Sequence, residues 1–172
     1  MTHSQEGING SSQSSEPLGA PVIRHATIDD AEQIAILGKR FHEQAAWSDI
    51  FNYNVGDCVT SLEQFIGKPN FICMVADDGG RFVSFGSLVM APVYFNHLHL
   101  SAEELFWWSD PESPYVGVGR KLKKALEFEA KARGASSVQM KSIDLLNGNR
   151  MARLYARDGY RPSEHSFIKR LV

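Results

Sequence analysis

Apolar and polar positions along this chain repeat with two different periods, and the points where the period changes divide it into elements. Val22-Ile23-Arg24-His25-Ala26 predicts a short strand. Beyond Thr27 and Asp29, either of which can cap a helix, Ala31, Ile34, Ala35, Leu37 and Phe41 recur at helical spacing. The pattern breaks across residues 47–54, an aromatic-rich stretch that predicts a loop, and Ser61–Ile66 predicts a short second helix. Phe71–Ala76 and Arg81–Ala91 flank the turn signal Asp77-Asp78-Gly79-Gly80, and Glu103–Ser109 adds a third strand; the three are expected to be antiparallel neighbours.

Helical spacing returns at Val118 and runs through Leu122, Ala125, Leu126 and Phe128 to a glycine stop at Gly134. Ser137–Ile143 then predicts a strand parallel to the third, closing one βαβ unit. Asn149 is expected to cap a helix reaching about Asp158, with Met151, Leu154 and Tyr155 on one face, and Gly159 to end it before a last strand near Ser166–Leu171.

Composition narrows the class. The chain has 172 residues, 43% hydrophobic and 22% charged, which suits one core and one domain. Residues 1–20 are rich in Ser, Gly and Gln and predict a disordered tail, leaving 21–172 as the folded domain. Net charge is −2, and the tail carries Glu6 and Glu16 with no Lys or Arg, so the folded part is near neutral. That balance argues against a nucleic-acid partner and against an anionic membrane surface. Cys58 and Cys73 lack the spacing of a disulfide framework or a zinc motif and are expected to be reduced core thiols. No signal-like or membrane-spanning run is present, which predicts a cytoplasmic protein.

One stretch carries chemistry. In Ser113-Pro114-Tyr115-Val116-Gly117-Val118-Gly119-Arg120-Lys121, two glycines open a helix whose first turn is basic. Glycines let a ligand approach the main chain, and the free N–H groups of a first turn face negative charge, so the stretch predicts an anion site. Leu122 stands where a dinucleotide fingerprint needs its third glycine, and no hydroxyl follows Lys121 as a Walker loop requires.

Pro114 to Gly119 resembles the [QR]-x-x-G-x-[GA] loop of the GCN5-related N-acetyltransferases at both glycine positions, with Pro114 replacing the opening Gln or Arg. Asn149 to Tyr160 resembles that family's N-x-x-A-x-x-L-Y-x-x-x-G-[FY] segment, with Asn149 and Ala152 fitting its start, Leu154, Tyr155, Gly159 and Tyr160 its end, and one residue fewer between the two parts. The resemblance runs from Val22 to the end of the chain. It implies an α/β fold: a twisted, mostly antiparallel mixed sheet of six to seven strands, helices on both faces, and a V-shaped splay between the fourth and fifth strands that takes acetyl-CoA. It implies direct acetyl transfer to a primary amine, with no metal.

Roles follow from that chemistry. An ammonium of pKa about 10.4 must lose a proton before it attacks, which calls for a carboxylate. Glu103 and Glu104 open the third strand and face opposite ways; a count back from the glycine loop points to Glu103 by the resemblance, and one bulge would exchange the two. Tyr155 matches the family's general acid, able to protonate a departing thiolate. Val116, Gly117, Val118, Gly119, Arg120 and Lys121 are the expected pyrophosphate loop, with Asn149 on the pantetheine or phosphate region. A backbone N–H near Trp108 or Ser109 would meet the oxyanion. Trp47, Asp49, Phe51 and Tyr53 suit the acceptor, as aromatics for its alkyl part and a carboxylate for its charge. His97 and His99 share a strand face without a third ligand, so no metal is expected. An edge strand would support a homodimer. The rival reading is a non-catalytic acyl-CoA-binding or protein-interaction module on the same fold.

Overall fold

A computed structural model describes residues 19–45, 47–143 and 148–171. The elements run β1 (Val22–His25), α1 (Ala31–Gln44), α2 (Val55–Phe65), β2 (Phe71–Asp78), β3 (Arg81–Val93), β4 (Asn96–Ser109), α3 (Val118–Ala132), β5 (Ser137–Gln139) and α4 (Gly148–Arg157). Short 3-10 turns at Ile28–Asp30 and Trp47–Asp49 flank α1. The first is tied by the Thr27 N–H donating to Asp30 at 2.7 Å. Asp30 in turn takes two bonds from Arg24, which also reaches Asp77 on β2.

The sheet has the order β1-β2-β3-β4-β5, antiparallel throughout except for the parallel β4–β5 pair. Gly79 and Gly80, with φ of 62° and 95°, make the two-residue hairpin turn between β2 and β3, which only residues tolerant of left-handed backbone can do. Helices cover both faces. Odd residues of β2, Phe71, Cys73 and Val75, pack with Phe85, Trp108, α1 and α2, while Ile72 and Met74 pack with Leu88, Met90, Ala102 and the α3 residues Leu122, Leu126 and Ala130. β2 is therefore buried on both sides, which is why it reads as a continuous apolar run rather than an alternation.

Several boundaries differ from the pattern-based expectation. α2 is longer than Ser61–Ile66 and starts at an Asn54 cap, whose side chain accepts from the Asp57 N–H at 3.2 Å. β5 holds three residues rather than seven, and its pairing ends at Glu103↔Gln139 while β4 continues to Ser109. Among the described residues the sheet has five strands, not six or seven: Ser166–Leu171 is not a strand. Phe167 and Leu171 are exposed. Asn149 lies inside the first turn of α4, not at its cap. The expected tail lies almost wholly outside the described residues.

Candidate active site

β4 carries a bulge. Leu88 opposes Glu104 and Ser87 opposes Phe106, so Leu105 is an extra residue on this strand. The extra residue shifts the alternation: Ala102 packs with the α3 core and so does Trp107, five positions on, whereas Trp108 packs with α1. Glu104 shares the face of Ala102 and is 6% exposed; Glu103, on the other face, is exposed.

Glu104 and Tyr155 meet at the main chain of one residue, Lys141. The Lys141 N–H donates to Glu104 Oε2 at 2.9 Å, and the Tyr155 hydroxyl donates to the Lys141 carbonyl at 2.8 Å. Lys141 lies just past β5, where β4 and β5 have stopped pairing. Burial pushes the Glu104 carboxyl up to about 7, against the smaller opposing effects of the Lys141 N–H and charge. Burial, then the Glu104 and Glu127 charges, raises the Tyr155 phenol, so it keeps its proton. Its ring lies 6.3 Å from that of Trp107.

The glycine loop adjoins this pair. Gly117 caps α3 with φ 78°, a conformation that disfavours any side chain, and a Cβ there would find nothing within 4 Å. No side chain caps the helix, and of its first amides the Val118 N–H donates to the Tyr115 carbonyl at 3.3 Å. At Gly119 the reason for glycine is contact: a Cβ would collide with Ser109 Oγ, and the carbonyl accepts from Trp107 Nε1 at 3.1 Å. Ser109 Oγ shares a hydrogen bond with Ser84 Oγ at 2.8 Å. Val116 is 99% exposed, Val118 is buried against Ala76 and Val83, and Lys121 is exposed. Arg120, placed by sequence among the anion-binding groups, is engaged by Asp158 at 2.6 Å. Asn149 is exposed on α4. An uncapped helix start with open space beside it suits a pyrophosphate.

Asp110 steers β4 into this loop. Its side chain is 1% exposed and is forked by Arg40 at 2.9 and 3.0 Å, with Arg81 at 3.5 Å. Burial opposes its charge, but Arg40, the Glu112 N–H and Arg81 outweigh it and hold the carboxyl below the usual range.

The expected acceptor residues group only in part. Trp47 and Tyr53 both border the ring of His42, at 6.3 and 5.3 Å, while Asp49 and Phe51 are exposed. Tyr53 is anchored by donating to the Ala35 carbonyl at 2.8 Å. The sequence reading passed over His42, buried at 7% exposure with Nε2 unpartnered, although its place one turn after Gly38 on the apolar face of α1 was the available signal. It also passed over the pairing of Lys123 with Asp158, which no local pattern announces. Among the described residues no three His, Cys, Asp or Glu side chains converge as a metal would need, and no helix is long and apolar enough to cross a membrane. A recess of about 230 Å³ against His25, Lys68, Cys73 and Arg133 involves none of these groups.

No protein-family model and no curated protein sequence matches the chain. Solved structures do. A predicted acetyltransferase with acetyl-CoA from Clostridium acetobutylicum superposes with a TM-score of 0.68 at 14% identity, covering 87% of this chain and 96% of that one. The chain has the fold of the GCN5-related N-acetyltransferases. A ribosomal-protein-alanine N-acetyltransferase from Brucella melitensis biovar Abortus 2308 gives 0.67 at 15% identity, over 89% of this chain and 100% of that one. An aminoglycoside N-acetyltransferase in complex with CoA gives 0.68 at 15%, over 90% and 97%. In this N-acetyltransferase fold the glycine loop, the bulged β4 and α4 lie side by side, and the residues that meet there are Glu104, Trp107, Gly119 and Tyr155.

Proposed function

We propose that the chain transfers the acetyl group of acetyl-CoA directly to a primary amine. The observation that carries this reading is the convergence of Glu104 and Tyr155 on the main chain of Lys141, beside an α3 that no side chain caps. The pyrophosphate rests on the main chain of Val116, Gly117, Val118 and Gly119, with Lys121 at its edge and Asn149 on the pantetheine. The acyl arm enters where β4 and β5 part, the V of this fold.

Glu104, not Glu103, is the base. A carboxyl near 7 balances being ionised against being basic enough to take a proton from an ammonium, directly or through one water. The freed amine attacks the thioester carbonyl, forming the C–N bond. The N–H groups near Trp108 and Ser109 steady the oxyanion as the C–S bond breaks. Tyr155, still protonated, exchanges its bond to the Lys141 carbonyl for the sulfur and donates its proton to the thiolate, and the proton that the nitrogen sheds on becoming an amide restores the phenol. Cys73 does not compete as a nucleophile: it is buried and its thiol is pushed up to about 12, chiefly by burial. Of the acceptor candidates, Trp47 and Tyr53 gather at His42 on α1 and Asp49 and Phe51 are exposed beside them, so the amine would approach from the α1 side.

A free-thiol release screen of acetyl-CoA against peptides, polyamines and aminoglycosides tests this. Amine-dependent release that Glu104→Gln and Tyr155→Phe both suppress is the expected result. Binding of acetyl-CoA with no release from any amine would favour a non-catalytic acyl-CoA-binding module.

A further inference from the structure

α3 and α4 are joined by a buried ionic clamp. Asp158, three residues beyond Tyr155, places Oδ1 2.6 Å from Arg120 Nη2 and Oδ2 3.0 Å from Lys123 Nζ. The Lys123 side chain is fully buried, also pairs with Glu127, and lies 4.9 Å from the ring centre of Tyr160. The Tyr160 hydroxyl donates to Glu127, and its ring lies 5.3 Å from that of Tyr155. Tyr155 leans on Trp107, whose indole donates to the Gly119 carbonyl. The contacts close a circuit: glycine loop, Arg120 and Lys123, Asp158, the last turn of α4, Tyr155, Trp107, and back to Gly119.

A buried ion pair is a poor route to stability, since apolar side chains of similar volume often pack as well or better. What it supplies is direction: two cations on successive turns of α3 meet the two oxygens of one carboxylate. Arg120 and Lys123 hold the Asp158 carboxyl at about 2, so the clamp stays charged across the working pH range.

We infer that Asp158 is a positioning residue that fixes the Tyr155 phenol relative to the glycine loop, and that Arg120 and Lys123 are its counter-ions rather than phosphate ligands. The inference rests on the reading of Tyr155 as the general acid.

The experiment takes the full chain and the amine that gives most thiol release with it. Acetyl-CoA binding is measured by calorimetry, kcat by thiol release and folding by thermal melting, for Asp158→Asn, Tyr155→Phe and the double variant. The expected result for Asp158→Asn is a kcat lowered about tenfold with acetyl-CoA Kd within about twofold, and no further loss when it is added to Tyr155→Phe. Losses that multiply in the double variant would overturn the inference, because Asp158 would then act independently of Tyr155. Arg120→Gln covers the case in which Asp158→Asn fails to fold, for it leaves Lys123 paired and removes only the partly exposed arm. Lowered kcat at unchanged Kd supports the clamp; a several-fold weaker Kd at unchanged kcat makes Arg120 a phosphate ligand and overturns it. A natural chain that neither binds acetyl-CoA nor releases thiol fails at the first arm, which sinks the functional reading itself and the clamp with it.

Discussion

Glu104 and Asp110 are buried carboxylates at the two ends of one short stretch, and the protein treats them oppositely. Asp110, just beyond β4, is met by the Arg40 fork and held below the usual carboxylate range. Glu104, within β4, receives a backbone N–H and no paired cation, and burial lifts it to about 7. A buried acid with a cation fixes structure; one without a cation keeps a proton to exchange. The same contrast divides the faces of the sheet. On the α1–α2 side, Phe41, Leu62, Phe71, Phe85 and Trp108 fill an apolar core, with Arg24 and Arg40 at its rim. On the α3–α4 side, Lys123, Asp158 and Glu104 are carried inside, which is where the candidate chemistry lies.

The largest effect that bears on this contrast is expected from Glu104→Gln: kcat/KM for amine transfer falls by roughly 10²–10⁴, the range of a lost general base, while thermal melting shows a folded protein. Asp110→Asn should do the reverse, costing about 2 kcal/mol of stability by chemical denaturation, discounted because Arg40 is partly exposed, with kcat of the folded fraction unchanged. An intact fold with lost transfer in Asp110→Asn would erase the distinction.

Acidity sharpens it further. In the natural chain kcat/KM should rise about tenfold per pH unit up to about 7 and then level off, and Glu104→Gln should remove that limb. Stability carries opposite signs. The raised Glu104 carboxyl contributes most below about 4.5, and that contribution is lost as pH rises through about 7. The lowered Asp110 carboxyl contributes above its unfolded value, and that contribution is lost as pH falls through its folded value. Melting curves between about pH 5 and 8 should therefore show Glu104→Gln gaining on the natural chain as pH rises. A constant difference would contradict the account.

Smaller effects come from the loop and the outer face. Gly117→Ala forces a side chain into φ 78° and should cost about 1 kcal/mol, read as a several-fold weaker acetyl-CoA Kd by calorimetry. Glu103→Gln should leave kcat/KM within about twofold; a loss matching that of Glu104→Gln would move the base to the other face.

Much of this arrangement was legible in the sequence, for local reasons. The β2–β3 turn is announced by Asp77-Asp78-Gly79-Gly80, and α3 by its apolar spacing between Gly117 and Gly134, both glycines with positive φ. The choice between Glu103 and Glu104 was not legible, because the bulge at Leu105 sits in an apolar run whose composition is the same with or without it. The length of β5 was hidden too, since Val138 and Met140 alternate as in a strand across the point where the backbone pairing stops. Asp158 and Arg120 are 38 residues apart, and a contact of that range leaves no periodic trace. Arg120 and Lys123 therefore look in the sequence like free cations ready for an anion.

The most direct measurement of the central claim is a calorimetric titration of the protein with acetyl-CoA. One-to-one binding, weakened by Gly117→Ala and unchanged by Glu104→Gln, is the predicted result. Absence of binding, or binding indifferent to Gly117→Ala, would contradict the assignment of the uncapped α3 as the acyl-CoA site.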